Sequence, residues 1–145
     1  MKLLSNDIAS GREMPSTFTC DGKNVSPELH WEAIPKEAKS LALVVSDPDA
    51  PGGNFDHWLV CNIPASASGI PQGGPLPSGS KEIANDFGKA AYGGPCPPSG
   101  THRYFFRLYA LGIEKIQCRN ASELKQEISK HKVAETELMA LYKRK

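Results

Sequence analysis

Ser40-Leu41-Ala42-Leu43-Val44-Val45-Ser46-Asp47-Pro48 is an almost unbroken apolar run that stops at an acid and a proline. Apolar residues without polar alternation describe a strand covered on both faces, and therefore a central one. Proline ends the pairing, so the C-terminal end of this strand delivers Asp47. The next run, His57-Trp58-Leu59-Val60-Cys61-Asn62-Ile63, reads as a second strand closed by Pro64. Only Pro48 to Asp56 joins the two, with Gly52-Gly53-Asn54 inside, so the strands are expected to be neighbours with His57 near the same edge as Asp47. Arg103-Tyr104-Phe105-Phe106-Arg107-Leu108-Tyr109-Ala110-Leu111 is a third strand. Alternation puts Tyr104, Phe106, Leu108 and Ala110 on one face, and His102 joins Tyr104 there.

The rest of the chain fits this β framework. Its 12 prolines and 13 glycines are concentrated before residue 101, which favours short strands joined by fixed turns. Thr17-Phe18-Thr19-Cys20 reads as strand-like, followed by a turn at Asp21-Gly22-Lys23-Asn24. Residues 65–100 are expected to form an ordered loop holding at most a short strand, with Pro95-Cys96-Pro97-Pro98 as a rigid wall. Two helices are expected at the end. Asn120 caps the first, with Glu123 three residues on and Leu124 and Ile128 on one face. The second runs from about Val133 to Tyr142, turns Leu138, Met139, Leu141 and Tyr142 toward a core, and ends in solvated Lys143-Arg144-Lys145. The 145 residues are read as one domain, mainly β.

Seventeen Lys plus Arg against sixteen Asp plus Glu leave a formal charge of +1, so no broad positive field favours nucleic acid or lipid headgroups. The apolar stretch at Met1 to Asp7 is shorter than a signal-peptide core, and no run approaches the roughly 20 apolar residues of a membrane span. The expected location is cytoplasmic. Cys20, Cys61, Cys96 and Cys118 lie 41, 35 and 22 residues apart, without zinc-knuckle or CxxC spacing. They are expected to be free and mostly buried, with Cys96 set apart by the prolines around it, because a disulfide needs an oxidising compartment of which the sequence gives no sign.

If the sheet brings them together, Asp47, His57, His102 and Tyr104 form one small polar cavity suited to an anion. A phosphate or carboxylate would accept from the two imidazoles, the phenol and nearby backbone N–H groups. A carboxylate facing an anion is repulsive, so Asp47 either orients an imidazole from behind, the favoured role, or meets a ligand oxygen that carries a proton. Asp49 is expected to cap its turn through backbone N–H groups. Trp31, Phe105 and Phe106 are expected in the core, and Arg103 and Arg107 to pair with acids such as Asp47, Asp49 or Asp86. A zinc site from His57, His102 and Asp47 has suitable ligand types, but the tyrosine and glycine-rich wall fit an anion better. Catalysis is not expected, since no Ser or Cys sits in a nucleophile elbow, and local proline geometry explains Cys96 near His102 as well as a thiol–imidazole pair does. No cofactor is expected.

An ordered series of motifs spans nearly the whole chain: Thr19-Cys20-Asp21-Gly22, Ser26-Pro27 and Trp31, Asp47-Pro48-Asp49-Ala50-Pro51, His57-Trp58, Asn85-Asp86-Phe87-Gly88, Tyr92-Gly93-Gly94-Pro95-Cys96-Pro97-Pro98, and Gly100-Thr101-His102-Arg103-Tyr104. In these the sequence resembles the phosphatidylethanolamine-binding protein family, also called the Raf-kinase-inhibitor-protein family, in its compact bacterial and archaeal form. The resemblance implies a β-sandwich, with a large central sheet packed on a smaller one, peripheral C-terminal helices and a small anion-binding cavity at one end of the sheet. It implies that Asp47, His57, His102 and Tyr104 form that cavity, with Ala50, Pro51, Gly94 and Pro95 as lining, and Asp49, Trp58 and Cys96 in support. The covering C-terminal segment of longer members has no counterpart, which implies a more open mouth. Two functions follow as expectations. One is binding of a small anionic or phosphorylated molecule, such as phosphate or a phosphorylethanolamine-like headgroup. The other is regulation of a protein partner, a kinase or serine protease, through the surface around the pocket. Leu138, Met139 and Leu141 can pack between two copies as easily as within one, so a homodimer is a further expectation.

Overall fold

The computed structural model describes residues 1–144, so Lys145 of the expected solvated ending lies outside the described residues. The strands are β1 (Lys2–Leu4), β2 (Leu29–Glu32), β3 (Ser40–Ala50), β4 (Gly53–Pro64), β5 (Gly69–Ile70), β6 (Lys81–Ile83), β7 (His102–Leu111) and β8 (Lys132–Tyr142), and the helix is α1 (Ala121–His131). They form a three-stranded sheet in the order β1-β2-β5 and a five-stranded sheet in the order β6-β4-β3-β7-β8. Every pairing within these sheets is antiparallel.

The apolar run at Ser40 forms the middle strand of the large sheet, as its lack of alternation requires. Leu41, Leu43 and Val45 point toward the small sheet, where they meet Leu29, Trp31 and Ile70 together with Tyr104, Phe106 and Leu108 of β7. Ala42 and Val44 point the other way, into a second core with Leu59, Cys61 and Leu111 that α1 closes with Leu124 and Ile128. The molecule is thus layered as small sheet, large sheet and helix, and β3 is buried because it belongs to both cores. The Asn120 side chain caps α1 by accepting from the Glu123 backbone N–H at 2.9 Å.

Three expectations fail locally. Residues 132–142 are a strand, not a second helix. Ala134, Glu135, Glu137, Leu138, Met139 and Ala140 are fair helix formers, but β8 finds a partner along its whole length in β7, from His102↔Tyr142 to Leu111↔Lys132. The pairing overrides propensity, and alternation buries Leu138, Ala140 and Tyr142 while Glu135 and Glu137 face solvent. Thr17-Phe18 lies in a short 3₁₀ turn (Ser16–Phe18), not in a strand. Phe105 is not core: it lies on the outer face of β7, with the Arg103 and Arg107 guanidinium groups 5.5 and 4.5 Å from its ring centre. Trp31 and Phe106 are buried as expected.

The cysteines divide into two pairs. Cys20 and Cys96 are joined by a disulfide, against the expectation of free thiols, whereas Cys61 and Cys118 are free and buried. Separation in sequence hid the first pair, because 76 residues of chain return to the same place. No helix among the described residues is long and apolar enough to cross a membrane.

Candidate functional site

The end of β3, the start of β4 and the start of β7 meet at one end of the large sheet. Antiparallel pairing sets Ser46 opposite Phe105 and Asp47 opposite Phe55, so Asp47, His102 and Tyr104 share the face that looks toward the small sheet. β3 and β4 are joined through Pro51 and Gly52, with Ala50 opposite Gly53. Gly53 has φ +106, which a side chain would strain.

A β-bulge brings His57 to the same place. Val45 pairs with Trp58, yet Ser46 pairs with Asp56, so His57 is an extra residue with no opposite partner. Strict alternation from Trp58, which lies in the core between the sheets, would turn His57 outward with Leu59. The bulge lets both look inward. The inward position is held twice over: the Gly93 N–H donates to the His57 carbonyl at 3.0 Å, and His57 Nδ1 donates to the Gly93 carbonyl at 2.7 Å.

These elements enclose a cavity of about 180 Å³ lined by Asp47, Ala50, Pro51, Phe55, His57, Phe87, Cys96, Pro97, Pro98, His102 and Tyr104. The four polar residues of the sequence reading converge on it, and Ala50 and Pro51 line it. Gly94 and Pro95 do not; they hold the wall from behind. The Gly94 N–H donates to Asn24 Oδ1 at 2.8 Å, the Pro95 carbonyl accepts from the Cys20 N–H at 3.1 Å, and a Cβ at Gly94 would overlap the Phe18 carbonyl. Cys96 lines the cavity as half of the disulfide, which removes the thiol–imidazole alternative. Trp58 lies outside the lining, where its Nε1 donates to Glu82 at 2.8 Å.

Asp47 is 3% exposed, and its Oδ2 accepts from His102 Nδ1 at 2.7 Å, while its Oδ1 accepts from the Asp49 N–H at 2.8 Å. His102 Nε2 faces the Ser99 carbonyl at 3.1 Å. Both ring contacts are hydrogen bonds together only when both nitrogens carry hydrogen, and Asp47 supplies the counter-charge for that form. Asp49 does accept a backbone N–H, but from Arg103 across the sheet (3.0 Å) and not from its own turn. The Arg103 guanidinium holds Asp49 bidentately at 2.8 and 2.9 Å and pulls its carboxyl down to about 2. Arg107 pairs with Glu137 instead of the expected acids.

Burial pushes the His57 imidazole below its ordinary 6.5, against the Gly93 carbonyl and the Asp47, Asp56 and Asp86 carboxylates, which pull upward. With Nδ1 committed to Gly93, Nε2 makes no hydrogen bond among the described residues. Burial, then the Asp47 charge, raises the Tyr104 phenol well above its usual value, so it remains a donor. Among the described residues no cluster of three His, Cys, Asp or Glu has the arrangement of a metal site.

Sequence reasoning missed the aromatic part of the wall. Phe55 and Phe87 stand edge-on with centres 4.7 Å apart, and the His57 ring lies 4.8 Å from Phe55 and 5.3 Å from Tyr104. Phe87 sits in the Asn85-Asp86-Phe87-Gly88 motif, and Pro97 and Pro98 belong to the stretch read as a rigid wall, whereas Phe55 reaches the cavity through the strand register that sets it opposite Asp47.

The family model described as phosphatidylethanolamine-binding protein matches residues 4–143. The chain belongs to that family. Among its relatives, the UPF0098 protein of Methanothermobacter thermautotrophicus is 43% identical over 150 residues, covering 99% of both chains. The UPF0098 protein of Aquifex aeolicus is 42% identical, covering 99% of this chain and 89% of that protein. The crystal structure of Escherichia coli YbcL, described as a new member of the mammalian PEBP family, superposes with a TM-score of 0.94 at 36% identity over 99% of this chain and 98% of that one. A putative phosphatidylethanolamine-binding protein homologue from Chlamydia trachomatis, CT736, superposes with a TM-score of 0.92 at 33% identity, covering 99% and 97%. The two-sheet architecture with a C-terminal helix is therefore that of the phosphatidylethanolamine-binding family, and family membership supports ligand binding in general terms.

Proposed function

We propose that the cavity binds a small anionic or phosphorylated ligand, inorganic phosphate or a phosphorylethanolamine-like headgroup, without turning it over. The convergence of His57, His102 and Tyr104 on one small cavity carries this reading. Protonated His57 donates from Nε2 and Tyr104 from its hydroxyl, while a ligand oxygen takes the His102 Nε2–H from the long contact with Ser99. Charge-assisted bonds of this kind contribute roughly 1.5 to 3 kcal/mol each where desolvated, enough for weak to moderate binding. Asp47 acts mainly by orienting His102, as their 2.7 Å contact supports. A non-catalytic role is supported by the disulfide that consumes the Cys96 thiol. The Cys20–Cys96 cross-link favours an oxidising compartment and so counts against the cytoplasmic location expected from the sequence.

Titration of phosphate or phosphorylethanolamine into the protein, followed through the imidazole resonances of His57 and His102, tests the proposal. Both rings should shift saturably, and His102 should not shift in a His57→Ala chain at the same concentrations. Rings that stay put at millimolar ligand would overturn it.

A second reading rests on Phe87, a large apolar side chain left 47% exposed at the cavity rim. Such a residue suits a protein partner, a kinase or serine protease, docking around the mouth. Capture of such a partner by the His57→Ala chain and not by Phe87→Ala would favour it. A second copy of the chain is the other candidate, decided by sedimentation.

A further inference from the structure

The free cysteines are placed for chemistry of their own, on the helix side of the large sheet away from the cavity. Cys61 of β4 and Cys118, in the segment leading to α1, are both buried with their sulfurs 3.5 Å apart. The backbone around them is clamped. Asn62, next to Cys61, donates from Nδ2 to the Ile116 carbonyl at 3.1 Å and accepts from the Ile116 N–H at 2.9 Å. Lys81 Nζ, from the neighbouring strand β6, donates to the Cys118 carbonyl at 2.9 Å. A disulfide brings sulfurs to about 2.05 Å, so the two sulfurs have about 1.5 Å left to close.

We propose that Cys61 and Cys118 are a dithiol that a small anionic disulfide of the glutathione disulfide class oxidises to a second intrachain cross-link. The proposed entry is an open cleft of about 630 Å³ on whose wall Cys118, itself 2% exposed, lies together with Lys81, Lys115 and Arg119. Glu123 is the one acid in that wall, and Arg119 neutralises it at 2.9 Å. The net positive lining draws an anionic oxidant. Cys61 lies behind, outside the lining, and burial together with the bond to Cys118 pushes its thiol up. Cys118 is therefore the sulfur that attacks first.

Cys118 gives up its proton, and its thiolate attacks one sulfur of the oxidant. The oxidant S–S bond breaks, a mixed disulfide forms, and the first small thiolate leaves. Cys61 then gives up its proton and attacks Cys118 Sγ, so the protein S–S bond forms as the second small thiolate leaves. The two released thiolates take up the two protons. Two protein thiols are oxidised, and one small disulfide is reduced to two thiols.

The test exposes the whole folded chain to glutathione disulfide, unfolds it in an alkylating agent and maps the digest by mass spectrometry. The expected result is a peptide pair joined at Cys61 and Cys118 and a fall from two alkylated cysteines to none, with Cys20–Cys96 intact. At low ionic strength glutathione disulfide should react several-fold faster than the cationic cystamine, and added salt should narrow the difference. Cys118→Ser should leave Cys61 alkylated, and a chain isolated already cross-linked supports the proposal equally. Two cysteines still alkylated in the wild-type chain after excess oxidant, or a glutathione adduct that stays on Cys118, would overturn the dithiol assignment. Equal rates for the two oxidants would overturn the cleft as the entry. The wild-type measurement decides the matter even where a variant fails to fold.

Discussion

Sulfate probes the proposed anion site most directly, because its charge is constant across the range in which histidine titrates, so any pH dependence of binding belongs to the protein. His57 should dominate that dependence. Its Nδ1–H is fixed on the Gly93 carbonyl at 2.7 Å, so in the neutral ring Nε2 offers the cavity a lone pair, which repels an anion. Burial holds the free protein in that neutral form to below the ordinary 6.5. An anion that gains a charged hydrogen bond of about 1.5 to 3 kcal/mol must raise the His57 pKa by about one to two units, at about 1.36 kcal/mol per unit. Sulfate affinity should therefore rise roughly ten- to a hundredfold as pH falls, and level off only below the free-protein pKa, which lies under the ordinary 6.5. Calorimetry in buffers of different ionisation enthalpy should show proton uptake on binding, and His57→Gln should abolish the slope. Affinity that is flat with pH, or that rises with pH, refutes the role given to His57. The same shift has a stability consequence of definite sign. Because the folded pKa lies below the unfolded one, the contribution of neutral His57 is complete above the unfolded value and is lost as pH falls from 6.5 toward the folded pKa. Sulfate should offset that loss.

Three further outcomes are expected. Asp47→Asn removes the counter-charge at His102 and should weaken sulfate binding roughly tenfold while costing about 1 kcal/mol in urea unfolding. A preference for phosphate over sulfate that vanishes in this variant would assign Asp47 to a ligand proton instead. Cys96→Ser opens a loop spanning 76 residues, and chain entropy alone predicts about 4.5 kcal/mol of lost stability, read as a fall in the denaturation midpoint that reductant reproduces in the wild type. Asp49, held to about 2 by Arg103, contributes stability that is present above its ordinary 3.8 and lost as pH falls toward 2. Arg103→Ala should flatten that acid limb and barely move the denaturation midpoint at neutral pH, since the guanidinium is half exposed.

The parts of the fold that announced themselves were those whose burial is unusual. Leu41 to Val45 lacks alternation because β3 belongs to two cores, and the alternation of Tyr104, Phe106, Leu108 and Ala110 marks one face of β7 toward the small sheet. Residues 132–142 misled because Leu138, Met139, Leu141 and Tyr142 also make a helical stripe. The period-two signal, with Glu135 and Glu137 outward and Leu138, Ala140 and Tyr142 inward, was present but decided only by the existence of β7 as a partner. The disulfide was illegible for a related reason, since Cys20 and Cys96 meet only once the 3₁₀ turn at Ser16 packs behind the Gly94–Pro95 wall.

His57 shows most clearly how a site can be guessed correctly through an incomplete argument. Loop length predicted its nearness to Asp47, but nearness along a sheet edge does not choose a face. A strand that buries Trp58 and Val60 between the sheets has no regular way to put His57 there as well. The extra residue opposite Val45 and Ser46 resolves the conflict, and it does so at the position where Gly93 is available to bind both the carbonyl and the ring. Bulge, glycine wall and histidine are therefore one device: the bulge turns the ring inward, the Gly93 carbonyl fixes Nδ1, and Nε2 is left as the atom that the cavity can use.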